Sequence, residues 1–214
     1  MSKRKSIYTR VNPSLQLALA ALLFIIAVLL SREASLPVWE TEIFSFFYQL
    51  PRDLYPLFYV ITQFGSIYIL AMLLIFYFAK QHYHIVVRLL MTGTLAYLLA
   101  GFAKSIWGRG RPTELLNDII ALDIIQGPGF PSGHVALAVA LALTIGHYLP
   151  HKYHWIPFVW IIGVAASRMY LGVHVPLDVV GGLAIGWFSY ALFRHVRIYD
   201  VSHNKKQRNV SNTS

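Results

Sequence analysis

The sequence predicts an all-α integral-membrane protein, a bundle of six transmembrane helices with one short helix at the membrane surface. Hydrophobic residues make up 57% of the chain and charged residues only 13%, whereas soluble domains carry about 25% charged residues. Apolar segments of roughly 20 residues, the length that crosses the hydrocarbon core as a helix, recur along the chain. A length of 214 residues favours one domain, which we place at residues 1–195, followed by a polar tail at 196–214.

The first apolar segment follows a basic N-terminus, as a signal peptide would. It ends in Ser-Arg-Glu without a small-x-small cleavage pattern, so we expect an uncleaved span. Five further segments have a similar length and composition. The six predicted spans are 14–31, 55–79, 85–106, 132–149, 156–173 and 176–195.

Between the first two spans, residues 35–51 have the pattern of a helix that lies in the membrane interface. Apolar side chains recur at helical spacing, and acidic and amide side chains occupy the other faces. The apolar residues are Leu36, Trp39, Ile43, Phe47 and Leu50, and the polar ones are Glu40, Glu42 and Gln49.

The longest predicted loop is 107–131, which has Gly and Pro turn signals at both ends. Within it, residues 114–125 have the pattern of a short amphipathic helix. The tail at 196–214 is polar, and we expect it to be disordered.

The basic residues predict the orientation of the chain. With six spans both termini share a side, which collects 12 of the 18 Lys and Arg residues and one acidic residue. The positive-inside rule therefore places both termini, and the tail, in the cytoplasm, in a protein of the cell membrane. A nucleic-acid partner would need basic residues clustered on one folded face, so the formal net charge of +9 is interpreted as a topology signal.

Three clusters of polar residues reach the opposite, extracytoplasmic face under this topology. They are far apart in sequence, yet each lies at the end of a predicted span on that one side of the membrane. The clusters are Lys104 with Arg111, Ser132 with Gly133 and His134, and Arg168 with His174 and Asp178.

Two of these clusters have a local chemical logic. Pro131 suits a first helical turn, so Ser132 and Gly133 would offer free backbone N–H groups to an anion at a helix N-terminus. Asp178 follows His174 by four residues and can share its face. The carboxylate can accept a hydrogen bond from one imidazole nitrogen, which orients the ring and raises its basicity.

The cations complete the pattern of a phosphoryl-transfer site. An arginine fork matches phosphate oxygens, and Lys104, Arg111 and Arg168 would surround one site. The sequence shows no carboxylate cluster of the kind that holds magnesium, so we predict no metal and expect the cations to supply the electrostatic stabilisation. The chain contains no cysteine, which excludes a thiolate nucleophile and a disulfide framework.

Three stretches of the chain resemble the signatures of the type 2 phosphatidic acid phosphatase (PAP2) superfamily. They are KSIWGRGRP from Lys104 to Pro112, PSGH from Pro131 to His134, and SRMYLGVHVPLD from Ser167 to Asp178. They match K-x6-R-P, P-S-G-H and S-R-x5-H-x3-D in the same order. The resemblance implies a PAP2-like core within the six-span bundle.

The resemblance also implies a role for each matching residue. His174 would attack phosphorus and form a phosphohistidine, Asp178 would orient it, and His134 would protonate the leaving oxygen and then help to activate water. No metal or other cofactor is implied. The residues that would hold the phosphate are Lys104, Arg111, Ser132, Gly133 and Arg168.

Other polar and small residues have simpler interpretations. Arg109 lies inside the first motif at a non-matching position, and we expect a surface charge or a lipid-headgroup contact. We interpret His147, His151 and His154 as loop and interface residues, because no carboxylate accompanies them. The G-x-x-x-G of Gly182 and Gly186 could support a homodimer, but close packing within the bundle is favoured.

The predicted function is an integral-membrane phosphatase acting on a lipid phosphate that stays in the bilayer. Undecaprenyl diphosphate, phosphatidylglycerophosphate, phosphatidic acid or another lipid phosphate all remain possible substrates. A phosphotransferase that passes the phosphate to another lipid is the nearest alternative. A lipid transporter fits less well, because transport sites tend to lie near the bilayer midplane in repeated halves.

Overall fold

The computed structural model describes residues 11–32, 36–123 and 127–195, and within them the chain is helical with connecting turns. The predicted tail at 196–214 lies outside the described residues. Single 3₁₀ turns at Arg52–Leu54 and His151–Tyr153 accompany the α-helices. The α-helices are α1 (Pro13–Leu30), α2 (Val38–Tyr48), α3 (Tyr55–Gln63), α4 (Ile67–Ala79), α5 (Tyr83–Trp107), α6 (Pro112–Leu115), α7 (Gly133–Gly146), α8 (Ile156–Tyr170) and α9 (Pro176–His195).

The helix ends follow local capping chemistry. Asn12 accepts a hydrogen bond from the backbone of Ser14 at 2.9 Å, and Pro13 occupies the first turn of α1. α5 ends where Gly108 takes a left-handed conformation with φ of +47°, which costs glycine little. The hydroxyl of Ser132 accepts a hydrogen bond from Val135 N and caps α7.

Helix α7 forms the centre of the bundle and packs against α5, α8 and α9. Most of its residues are buried, and many are alanine, so the neighbouring backbones approach closely. A methyl group at Gly182 would collide with the carbonyl oxygen of Ser132, and one at Gly186 would collide with that of Ala136. The G-x-x-x-G pair therefore packs within the bundle, as the sequence favoured.

The outward faces of the helices are apolar, which is expected of a protein surrounded by lipid. Leu22 and Ile25 on α1, Ile75 on α4 and Phe102 on α5 are all more than half exposed. By length and composition, the described residues contain three helices able to cross a membrane, or four if the bent pair of α3 and α4 is one span. Helices α7 and α8 have 14 and 15 residues, short of the roughly 20 that a span needs. The number of six spans therefore stays a prediction.

Two predicted segments differ in detail from the structure. The span at 55–79 is interrupted at residues 64–66, where its two halves meet at 53°. The helix predicted at 114–125 is wrong for residues 116–123, because the short helix α6 ends at Leu115. Leu116 is extended and Asp118 has a φ of +61°, so the backbone cannot continue as a helix.

The helix predicted between the first two spans is present as α2. Val38, Trp39 and Phe46 are exposed, with Val38 at 73%, as expected for a helix in the membrane interface. Glu40 is an exception to the expected pattern, because it faces the protein and is fully buried.

Candidate active site

The three polar clusters meet at one end of the bundle, around a cavity of about 530 Å³. The end of α5, the start of α7 and the loop between α8 and α9 converge there because α7 packs between the other two helices. Residues from all three sequence motifs line the cavity: Lys104, Arg111, Gly133, His134 and His174.

His174 and Asp178 form a buried pair. Nδ1 of His174 lies 3.2 Å from Oδ2 of Asp178, which also accepts a hydrogen bond from Val175 N at 3.2 Å. The backbone of Gly129 is hydrogen-bonded to the same imidazole. The ring is therefore fixed by two neighbouring groups, and the α9 start supplies its carboxylate partner.

The surroundings of His174 favour its neutral form. Burial lowers the pKa of His174 well below its usual range, and the nearby charges of Arg168, Lys104 and Arg111 lower it further. A neutral imidazole has a lone pair available for attack on an electrophile.

Arg168 is completely buried, and its partner Asp123 lines the cavity. Its Nη1 donates to Thr62 Oγ1 at 2.6 Å and to Asp123 Oδ2 at 3.0 Å. Its Nε and Nη2 have no hydrogen-bond partner among the residues that the structure describes. Buried donors without partners are costly, so an acceptor placed beside these two N–H groups would stabilise the buried guanidinium.

Lys104 and Arg111 bind the backbone of residues 127–129, the segment just before the PSGH motif at the start of α7. Lys104 Nζ donates to the carbonyl oxygens of Pro128 and Gly129. Arg111 donates from Nε to Gly127 O at 2.7 Å and from Nη1 to Val173 O at 2.9 Å. The two cations thus tie this segment to the loop that carries His174.

The start of α7 presents its backbone to the cavity. Ser132 N donates to the carbonyl of Asp178 at 2.8 Å, which joins the starts of α7 and α9. The prediction of a free N–H at Ser132 is therefore wrong, because a contact from a distant helix already pairs it. A side chain at Gly133 would meet nothing within 4 Å, so the space beside its backbone is open. The first N–H groups of a helix have no intrahelical acceptor and favour an anion.

Arg109 is not a surface charge, and that prediction is wrong. Its side chain is buried and forms a two-pronged ion pair with Glu40, at 3.0 Å from Nη1 to Oε1 and 2.7 Å from Nη2 to Oε2. Nη1 also lies 3.6 Å from Asp178 Oδ1. The loop turns inward after Gly108, and the partner lies 69 residues away in sequence, so no local pattern could reveal the pairing.

The cavity also has an apolar rim on the outer side of the bundle. Ile67 and Tyr68 at the start of α4 and Tyr97 on α5 line it, and each is more than half exposed. The break at residues 64–66 shapes this side, because Gly65 and Ser66 line the same cavity.

Among the described residues, the histidines outside the motifs lie away from the cavity. His154 contacts the carbonyl of Leu149 at 3.1 Å through Nε2, and its ring stacks on that of His151. Within residues 11–32, 36–123 and 127–195, no group of three or more His, Cys, Asp or Glu residues could hold a metal ion.

The sequence alone missed four residues of this region. Thr62 and Asp123 pair with Arg168, and Glu40 and Arg109 lie behind Asp178. Three of them belong to no motif. Glu40 could have been found from the sequence only if the orientation of the interfacial helix had been known, because the acid would then have been seen to face the protein.

The fold and the cavity define a membrane-embedded helical protein with a buried histidine–carboxylate pair surrounded by cations. The family model described as the PAP2 superfamily matches residues 85–201, which is more than half of the chain. The protein therefore belongs to the PAP2 superfamily.

Curated relatives share part of this chain. An undecaprenyl-diphosphatase of Sulfolobus acidocaldarius is 32% identical over 123 residues, which cover 56% of this chain and 58% of the relative. A lipid A 4'-phosphatase of Bacteroides thetaiotaomicron is 32% identical over 138 residues, which cover 60% and 58% respectively. The chain thus matches less than two thirds of the length of either relative.

Solved structures share the fold. The crystal structure of Aquifex aeolicus LpxE superimposes with a TM-score of 0.66 at 30% identity, covering 71% of this chain and 92% of that one. A transmembrane PAP2-type phosphatidylglycerolphosphate phosphatase from Bacillus subtilis gives a TM-score of 0.74 at 23% identity, covering 87% and 98%. The second likeness supports the fold alone.

Proposed function

We propose that the protein is a membrane phosphatase that hydrolyses the phosphomonoester or diphosphate headgroup of a lipid through a phosphohistidine on His174. The observation that carries the proposal is the buried His174–Asp178 pair beside Arg168, whose Nε and Nη2 have no partner among the described residues. A nucleophile, its orienting carboxylate and phosphate-binding donors are then within one cavity.

In the first step His174 attacks phosphorus. Asp178 occupies Nδ1, so Nε2 forms the new bond while the bond from phosphorus to the lipid oxygen breaks. His134 lines the same cavity and donates a proton to the leaving oxygen. In the second step His134 accepts a proton from water, which attacks phosphorus and releases inorganic phosphate and neutral His174.

The phosphate is held by charge and by hydrogen-bond donors, and no metal takes part. Arg168 donates from Nε and Nη2, and the start of α7 donates backbone N–H groups around Gly133. Lys104 and Arg111 add positive charge as the equatorial oxygens become more negative in the transition state.

The apolar rim favours a lipid over a soluble ester. A headgroup in the cavity would place its chain beside Ile67, Tyr68 and Tyr97, which face outward. The chain can then remain in the bilayer while the phosphate reacts. Undecaprenyl diphosphate, phosphatidylglycerophosphate and phosphatidic acid all fit this arrangement, and the names of the relatives span diphosphate and monophosphate substrates.

The site would face the extracytoplasmic side, with both termini in the cytoplasm. The support is the distribution of Lys and Arg along the chain, which the positive-inside rule converts into an orientation.

The deciding experiment measures phosphate release by the purified protein in detergent micelles containing EDTA. The substrates are the three lipids and a soluble phosphate ester, and His174→Ala is the inactive control. Release from a lipid that survives EDTA and disappears in His174→Ala supports the proposal. Release that needs a divalent cation, or equal turnover of the soluble ester, contradicts it. Transfer of the phosphate only to an added lipid acceptor would instead indicate a phosphotransferase.

A further inference from the structure

The interfacial helix α2 sends one charged side chain into the protein. Glu40 is fully buried, although a buried carboxylate is costly unless it is paired and hydrogen-bonded. Its two oxygens bind the guanidinium of Arg109, and Oε1 also accepts a hydrogen bond from Leu177 N at 2.9 Å. Glu40 is therefore tied both to the loop after α5 and to the first turn of α9.

Arg109 in turn faces the carboxylate that orients His174. Oδ2 of Asp178 already contacts His174 and Val175 N. Oδ1 has no hydrogen-bond partner among the described residues, and Arg109 Nη1 lies 3.6 Å from it. The carboxylate is thus held between the imidazole on one side and the guanidinium on the other.

This order of charges has a physical consequence for Asp178. A cation beside a buried carboxylate favours its ionised form, and only the ionised form is a strong acceptor for the imidazole N–H. The pairing with Glu40 fixes the guanidinium in one plane and balances its charge. Without Glu40, Arg109 would be a buried cation free to turn toward another acceptor.

We propose that Glu40 and Arg109 are positioning residues, through which helix α2 keeps Asp178 ionised and aligned on His174. The inference rests on the proposed phosphohistidine mechanism. Arg109 faces the side of Asp178 away from His174, and Glu40 lies behind Arg109, so neither residue contacts the substrate. Both therefore act on the rate of the chemical step and not on binding.

The test compares four variants in the phosphate-release assay. Glu40→Gln keeps an oxygen for Leu177 N and Arg109 Nη1 but removes the charge and the acceptor for Arg109 Nη2. Arg109→Gln instead removes the cation. Residues that hold a functional side chain in place from behind are worth about 10- to 100-fold in activity. We therefore expect kcat to fall roughly 10-fold in Glu40→Gln and up to 100-fold in Arg109→Gln, with KM little changed. Arg109→Lys should recover part of the loss, because it retains the charge but not the fork.

Two readouts separate positioning from a structural role. The acid limb of the pH–kcat profile should move to higher pH in Arg109→Gln, because the ionised carboxylate has lost a cation. His174, Lys104 and Arg111 also act on Asp178 and are unchanged in these variants. The double variant, which combines Glu40→Gln with Arg109→Gln, should have a kcat no lower than that of Arg109→Gln alone, since the two residues act as one unit. Thermal unfolding is measured for every variant.

The matched control is Glu42→Gln, the same substitution at an exposed position of the same helix, which should leave kcat unchanged. The inference is overturned if folded Arg109→Gln keeps the wild-type kcat and acid limb, or if its only defect is in KM. If Arg109→Gln does not fold, Glu40→Gln decides on kcat and KM alone, and a wild-type kcat or a defect in KM only overturns the inference. A wild-type protein that releases no phosphate from any lipid overturns the proposed function itself, which is a different result.

Discussion

Replacement of Arg168 by lysine tests the phosphate-binding role of the buried fork most directly. The substitution keeps the positive charge and the approximate volume. It removes the planar arrangement in which Nη1 binds Thr62 and Asp123 while Nε and Nη2 stay available. A lysine in this place offers one ammonium group, which has to satisfy the same neighbours before it reaches a phosphate.

The size of the effect follows from counting donors. The fork offers two N–H groups to the transition state, and lysine can replace at most one of them. Removing one preorganised donor lowers kcat by about 10²- to 10³-fold, or roughly 2.7–4 kcal/mol. We therefore expect Arg168→Lys to lose that much in kcat, with a smaller change in KM because the charge remains.

The assay is the initial rate of phosphate release across a range of lipid concentrations in mixed micelles, with thermal unfolding as a check on folding. Asp123→Asn is the comparison variant, because it keeps an acceptor for Nη1 and leaves Nε and Nη2 in place. Because the donors that would bind phosphate are unchanged in this variant, its kcat should change far less than that of Arg168→Lys. A folded Arg168→Lys protein with kcat within about threefold of wild type would refute the reasoning.

Three further predictions concern pH, packing and topology. Because the pKa of His174 is lowered on folding, protons bind preferentially to the unfolded chain below about pH 6.5. The free energy of unfolding should therefore fall as pH drops below that value and not above it, and thermal melts of His174→Asn should show a weaker dependence. Gly182→Ala should destabilise by about 1–3 kcal/mol through collision with the start of α7, whereas Gly101→Ala, where a methyl group meets nothing within 4 Å, should be neutral or slightly stabilising in the same melts. The chain has no cysteine, so a single introduced cysteine can report which side of the membrane it faces. In intact cells an impermeant maleimide should label Ile120→Cys but should reach Lys80→Cys only after permeabilisation. The reverse labelling pattern would show that the predicted topology is inverted.

Local patterns in the sequence predicted the helices because helix formation depends on short-range signals. They also predicted that the polar clusters converge, because each cluster lies at the end of a predicted span on the same side of the membrane. The predicted span at 85–106 appears as Tyr83–Trp107 and that at 176–195 as Pro176–His195. The span at 55–79 was predicted as one helix because its apolar run is continuous. The interruption coincides with a tertiary contact, since a Cβ at Gly65 would come within 2.7 Å of the carbonyl oxygen of His134.

The pairing of the charges could not be predicted, because it is set by contacts between distant segments. The sequence around Arg109 is that of an exposed loop cation, and only the contact with Glu40 of α2 shows that its side chain is paired inside the protein. Arg168 was predicted to bind phosphate from its motif, but its Nη1 partners, Thr62 and Asp123, lie 106 and 45 residues away. Motifs therefore identified the residues facing the cavity, and the structure was needed to find those that hold them.

The balance of charge explains how so many ionisable groups can lie at the end of an apolar bundle. The cations Lys104, Arg109, Arg111 and Arg168 accompany the carboxylates of Glu40, Asp123 and Asp178, and the charge of Glu114 also acts on Arg111. Glu40 lies against Arg109 and Asp123 against Arg168, so the ion pairs offset most of the desolvation that isolated charges would suffer. Lys104 and Arg111 line the cavity, where their positive charge disfavours a protonated His174 and attracts an anion. A phosphate headgroup would then supply negative charge to this cluster and acceptors for Nε and Nη2 of Arg168, which have no partner among the described residues.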